Sequence, residues 1–73
     1  LRRSVTMNDW KLIVYPQIKK ARLYNIGKDP FEKNDLAQEA GQSARIKQLF
    51  ARLLAQQIQM GDKLDLKAAF PKL

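Results

Sequence analysis

The spacing of apolar residues changes once along this chain, and that change limits its architecture more than any other feature. Up to residue 26 the apolar positions alternate, with Trp10, Leu12 and Val14 on one side of an extended segment and Ile13 and Tyr15 on the other. Successive strand side chains point to opposite faces, so this is a strand pattern. From Ser43 the spacing becomes three and four residues: Ile46, Leu49, Phe50, Leu53, Leu54 and Ile58 form one stripe, while Arg45, Lys47, Gln48, Arg52, Gln56 and Gln59 fall outside it. Strands followed by a single amphipathic helix give an α+β fold, in which the helix stripe must pack on the sheet.

The strand region divides at its turn residues. RSVTM at 3–7 and WKLIVY at 10–15 are rich in β-branched and aromatic types and flank Asn8-Asp9, which reads as a hairpin. Pro16 lacks an N–H for the ladder and ends the second strand; QIKK at 17–20 then turns the chain into a third strand, ARLYNI at 21–26. The expected fold is a small three- to four-stranded antiparallel sheet with one C-terminal amphipathic helix packed on one face. Its segments are strands over 1–26, a turn and coil connector over 27–42, a helix over 43–60 and a tail over 61–73. Within the connector, Gly27-Lys28-Asp29-Pro30 is turn chemistry and a helical turn is expected near Asn34 to Ala37. Ser43 is the expected N-cap, and Gly61 the left-handed residue that closes the helix. The tail carries Leu64, Leu66 and Phe70 without a clean period and is expected to lie along a surface, packed or not.

Both faces of such a sheet carry large apolar groups, and one helix covers one face. Trp10, Leu12, Val14 and Leu23 are assigned to the helix, and Ile13, Tyr15, Tyr24 and Ile26 to a second contact. Exchanging the two faces satisfies the alternation equally. An apolar face without a partner ordinarily marks a contact surface, filled here by a further domain or by a second copy of the chain.

A chain of 73 residues with no cysteine and no histidine has neither disulfides nor a Cys/His zinc site to reinforce it. A core this small supplies only about 3–5 kcal/mol of net stability. Good packing, oligomerisation or the remainder of a longer chain is the expected reinforcement, and Leu1 opens within a strand-like pattern, as in a piece cut from something larger. The longest apolar runs, LIVY and LLA, are far short of the roughly 18 residues that span a bilayer.

The missing residue types also exclude histidine acid-base catalysis and Cys or Ser-His nucleophiles. Asp29, Glu32 and Asp35 are close in sequence but interleaved with Lys28 and Lys33; they read as turn and cap residues rather than as a cation site. No GxGxxG or GxxxxGK[ST] spacing cradles a phosphate. No catalytic, cofactor-binding or metal-binding residue is assigned.

A net charge of +7 suits an anionic partner. The excess is spread over several elements, which reads first as a solvated face. Lys19, Lys20 and Arg22 are the densest basic group and the candidate anion-binding residues. With Trp10, Tyr15 and Tyr24 nearby they form the alternative reading, a free-standing basic module for nucleic acid or an anionic glycan. Nucleic acid is the weaker of these, since no ribonucleoprotein-type motif is present.

The stretch RSVTMNDWKLIVYPQIKKARLYNIGKDPFEKNDLA resembles the C-terminal subdomain of the sulfatase family, of bacterial type. Arg3-Ser4-Val5 and Trp10-Lys11-Leu12-Ile13 match the family's hairpin, and Leu23-Tyr24-Asn25-Ile26 its next strand. Asp29-Pro30-Phe31-Glu32 and Asn34-Asp35-Leu36-Ala37 match its turn and coil, and Gly61-Asp62 the end of its helix. The resemblance runs from about residue 2 to residue 66, carried by the order of short motifs. Thr6 and Asp9 stand where the family commonly has arginines, and no contact of those arginines is carried over. The resemblance implies a small antiparallel sheet and helix resting on a catalytic domain in the same parent chain, an exported sulfate-ester hydrolase. That parent would use formylglycine and calcium, neither of which has residues here, because no CxPxR or SxPxR motif occurs.

Overall fold

The computed structural model describes residues 2–73. β1 (Arg3–Met7), β2 (Trp10–Tyr15) and β3 (Lys20–Asn25) form an antiparallel sheet in the order β1-β2-β3. Met7 stands opposite Trp10, closing a two-residue loop in which Asn8 takes φ +56°, the left-handed backbone that such tight hairpins require. Tyr15 stands opposite Lys20 around a four-residue loop that ends on Lys19, also left-handed at φ +54°. β3 lies one residue earlier than the sequence pattern suggests. Ile26 falls beyond its end, where its N–H donates to the Asp9 carbonyl at 2.7 Å.

α1 (Ser43–Met60) packs on the sheet, giving the α+β fold its single main core. Val5, Leu12, Val14 and Leu23 from the three strands meet Ile46, Leu49, Phe50 and Leu53 from the helix stripe. Burying a large aliphatic or aromatic side chain contributes about 1.5–3 kcal/mol, so this cluster is the principal source of stability. At its rim the Arg45 guanidinium stacks on Trp10, 3.9 Å from the ring centroid.

The helix ends as expected on Gly61, left-handed at φ +70°. Gly61 N–H donates to Ile58 C=O and Asp62 N–H to Gln57 C=O at 2.9 Å, the paired bonds of a Schellman closure. The start differs. Gln42 is the N-cap residue and Ser43 is already helical, so the Ser43 hydroxyl does not cap. Gln42 instead accepts from the Arg45 guanidinium through its Oε1.

The tail, whose packing the pattern left open, closes the core. α2 (Leu66–Ala69) opens on Asp65, whose Oδ1 accepts from Ala68 N–H at 3.1 Å. Leu66 and Phe70, four residues apart and therefore on one side of a helical turn, are both buried, and Phe70 meets Phe50 edge to face at 6.0 Å.

Asp62 ties this end of the molecule to β1. Its carboxylate accepts from Arg3 Nε at 2.6 Å and Nη2 at 3.2 Å, from Gln57 Nε2 and from Leu64 N–H. Gln57, the one buried polar side chain among the described residues, also donates to Leu64 C=O at 2.9 Å and is thereby satisfied. The Arg3 guanidinium, then Gln57 and the Leu64 amide, hold the Asp62 carboxyl far below the usual carboxylate range, against a smaller opposing effect of burial.

Candidate functional site

Three places invite a functional reading: the acids of the connector, the second face of the sheet, and the basic residues around the β2–β3 turn. Asp29, Glu32 and Asp35 are each engaged separately. Asp29 accepts from Lys33 N–H at 3.0 Å and Asn34 N–H at 2.8 Å, and these two amides hold its carboxyl below its ordinary value. Glu32 pairs with Lys11 Nζ at 2.8 Å. Asp35 Oδ1 accepts from Leu23 N–H and Ala37 N–H, both at 2.9 Å. Among the described residues, no group of three or more acids converges on a point where a cation would sit.

Asp35 also explains why the helical turn expected at Asn34 to Ala37 does not form. Leu23 N–H and C=O point away from β2, and the connector answers both: Asp35 takes the N–H, and Leu36 N–H donates to the C=O at 2.7 Å. The backbone at 34–36 is neither helix nor strand, and from there it reaches both groups. The connector is thus a short clasp on the outer edge of β3.

On the second sheet face, alternation places Lys11, Ile13, Tyr15, Arg22 and Tyr24 together, with Ser4 and Arg22 directly opposite Ile13. An open apolar face is not what results. Ile13 is 1% exposed and Tyr24 5%, although neither touches the helix core. Long side chains roof them. The Arg22 guanidinium lies over the Tyr15 ring at 5.6 Å, and Lys11 reaches across to Glu32, which brings the connector over this side. The Tyr24 side chain, an acceptor beside the guanidinium, does most to raise Arg22 above its ordinary pKa, with Tyr15 and Asp35 adding to it. Tyr15 is half-buried, and so is Ile26 beyond the strand end. The exposed large hydrophobic residues, Ile18, Phe31, Ile58 and Met60, lie in the loops and on the outer side of α1.

The basic residues come together. Lys19, Lys20 and Arg22 line one side of a cleft of about 580 Å³, and the chain end contributes Lys72 from the other. Its lining also includes the apolar Ala21, Ile46, Phe70 and Leu73, and Asp35 is its single acidic side chain. None of the four cations pairs with a carboxylate among the described residues. Sequence reasoning missed Lys72, since nothing in the local pattern of the tail brings it back to β3. The available signal was Asp65 followed by Leu66 and Phe70, a cap and an apolar pair at helical spacing that dock the segment.

No helix among the described residues is long and apolar enough to cross a membrane. Compared with models of known families, with curated proteins and with solved structures, the chain matches none.

Proposed function

We propose that this chain is the non-catalytic C-terminal subdomain of a sulfatase, packing against and completing a catalytic domain in the same parent chain. The observation that carries the reading is the use made of the connector motif. The residues of Asp29-Pro30 and Asn34-Asp35-Leu36-Ala37 that give the resemblance are engaged in backbone bonds: Asp29 on two amides, Asp35 on two, and Leu36 on the Leu23 carbonyl. A motif engaged in this way specifies a fold and not a reaction, as a shared structural subdomain requires.

The second face of the sheet is the proposed contact with the catalytic domain. Ile13 and Tyr24 lie beneath Tyr15 and Arg22, so a docking domain would meet a polar and aromatic rim over a small apolar base. Sulfate-ester chemistry, with formylglycine and calcium, belongs in this reading to the parent's other domain and to export from the cell.

The coding sequence upstream of Leu1 tests the proposal. A CxPxR or SxPxR motif followed by Asp and Asn calcium ligands in the same reading frame is the expected result; an unrelated upstream domain overturns it. The purified 73-residue chain should hydrolyse an aryl sulfate at the buffer rate, and faster turnover also sinks the reading.

A further inference from the structure

We propose that the cleft between the outer edge of β3 and the C-terminal segment binds an anionic polysaccharide through its sulfate or carboxylate groups. This inference does not rest on the sulfatase assignment, although the two share Arg22, which lies at the border of the cleft and the second sheet face. Four cationic side chains from two distant parts of the chain face one acidic side chain there, Asp35, and that acid is already engaged with Leu23 and Ala37 amides.

Two further observations point to an anion. The first is a free backbone donor. Leu23 N–H and C=O face outward, and alternation along β3 turns Ala21 N–H outward in the same way, two residues closer to the turn. The connector clasp ends at Leu23, so Ala21 N–H meets the cleft between Lys20 and Arg22 with no strand beside it. An amide flanked by cationic side chains is a donor set for an oxyanion. One free residue of edge is too short for an added peptide strand, which needs several.

The second observation is the backbone of Lys19. It is left-handed at φ +54°, a conformation that costs an ordinary L-residue about 1–2 kcal/mol and glycine almost nothing. Turn geometry alone favours Gly or Asn at this position. A lysine stands there against that preference and lines the cleft, where its charge adds to those of Lys20, Arg22 and Lys72.

The ligand class follows from what lines the cleft. Single-stranded nucleic acid is held by open aromatic rings on which bases stack. The one ring in this cleft, Phe70, is only 7% exposed and is packed edge to face on Phe50. A chain of charged sugars is held through its anionic groups by cations and needs no stacking platform, and the four cations are present.

The test is fluorescence anisotropy of the full chain with labelled dextran sulfate, labelled polygalacturonate and a labelled oligo-dT, at low and rising salt. Binding to either glycan that weakens steeply with salt is expected, and the tighter of the two identifies sulfate or carboxylate as the group read. The combined variant Lys19→Gly, Lys20→Gln, Arg22→Gln, Lys72→Gln should lose about tenfold or more in affinity and flatten the salt slope. A control that removes the same charge elsewhere, Lys28→Gln, Lys47→Gln, Arg52→Gln, Lys63→Gln, should lose about threefold or less. Lys19→Gly alone separates binding from folding: affinity should fall while the melting temperature holds or rises. Equal losses in cleft and control variants, no glycan binding at low salt, or tighter binding of oligo-dT than of either glycan would each overturn the proposal.

Discussion

On the face of the sheet that meets α1, Leu12, Val14 and Leu23 are sealed by aliphatic and aromatic side chains from the helix and the tail. On the opposite face Ile13 and Tyr24 reach comparable burial among Lys11, Tyr15 and Arg22. The two faces therefore exclude water by different physics. Apolar burial is non-directional and grows with area, so the helix face is tightly and redundantly packed. The second face depends on a few long polar side chains whose stems cover apolar atoms while their heads remain in water. Such a roof can be replaced by a docking partner, because its charged heads are already half solvated.

The largest expected difference between the faces is in core truncation. Phe50→Ala should cost about 3–5 kcal/mol, as much as a domain of this size holds in total, so the variant should be mostly unfolded without denaturant. Ile13→Ala should cost about 2 kcal/mol, the low end for such changes, since roofing side chains can settle into the space. Urea unfolding midpoints read both. Equal losses would break the comparison, because the second face would then be packed as tightly as the first.

Detaching the connector comes next. Asp35→Ala leaves Leu23 N–H and Ala37 N–H without their acceptor, a loss of about 1–3 kcal/mol. Hydrogen exchange at the Leu23 amide should accelerate more than at the Leu12 amide, which faces β1 within the sheet. Uniform acceleration would mean that the clasp and the sheet open as one unit.

Asp62 belongs to the helix side, and its effect is on pH dependence. Arg3, Gln57 and the Leu64 amide depress its carboxyl in the folded state, whereas unfolding returns it to about 3.9. Its stabilisation is therefore fully present above that unfolded value and is lost as pH falls below about 4 toward the folded value. A melting-temperature series from pH 6 downward should show a shallower acid limb in Asp62→Asn than in the parent. Parallel limbs would remove Asp62 from the acid response.

Much of this was legible because strands and helix each repeat a local period. The two hairpins, the helix stripe and the Gly61 closure all follow from residues within one element. What was not legible depends on distant partners. Asp35 looks like a helix-starting residue until the free Leu23 N–H, twelve positions away in sequence, is placed beside it. The covered second face follows from Lys11 meeting Glu32, and no local pattern reports that pairing. Lys19, Lys20 and Arg22 were visible as a basic group, but their union with Lys72 required the docking of Leu66 and Phe70.

The smallest expected effect tests the roof most directly. Lys11 and Glu32 are each about a quarter to a third exposed, and a pair so placed contributes about 0.2–1 kcal/mol. Glu32→Gln should lower stability by that amount at low salt. Near 1 M salt, where screening acts within about 3 Å, the loss should vanish. Glu32 is also left-handed at φ +55°, so Glu32→Gly removes the pair and relieves the backbone together. The glycine variant should be at least as stable as the glutamine variant, yet expose Ile13 to exchange and to solvent relaxation as much or more. If both variants leave the Ile13 methyl signals unchanged in NMR, the Lys11 and Glu32 pair is not what closes this face, and Arg22 over Tyr15 must do so alone.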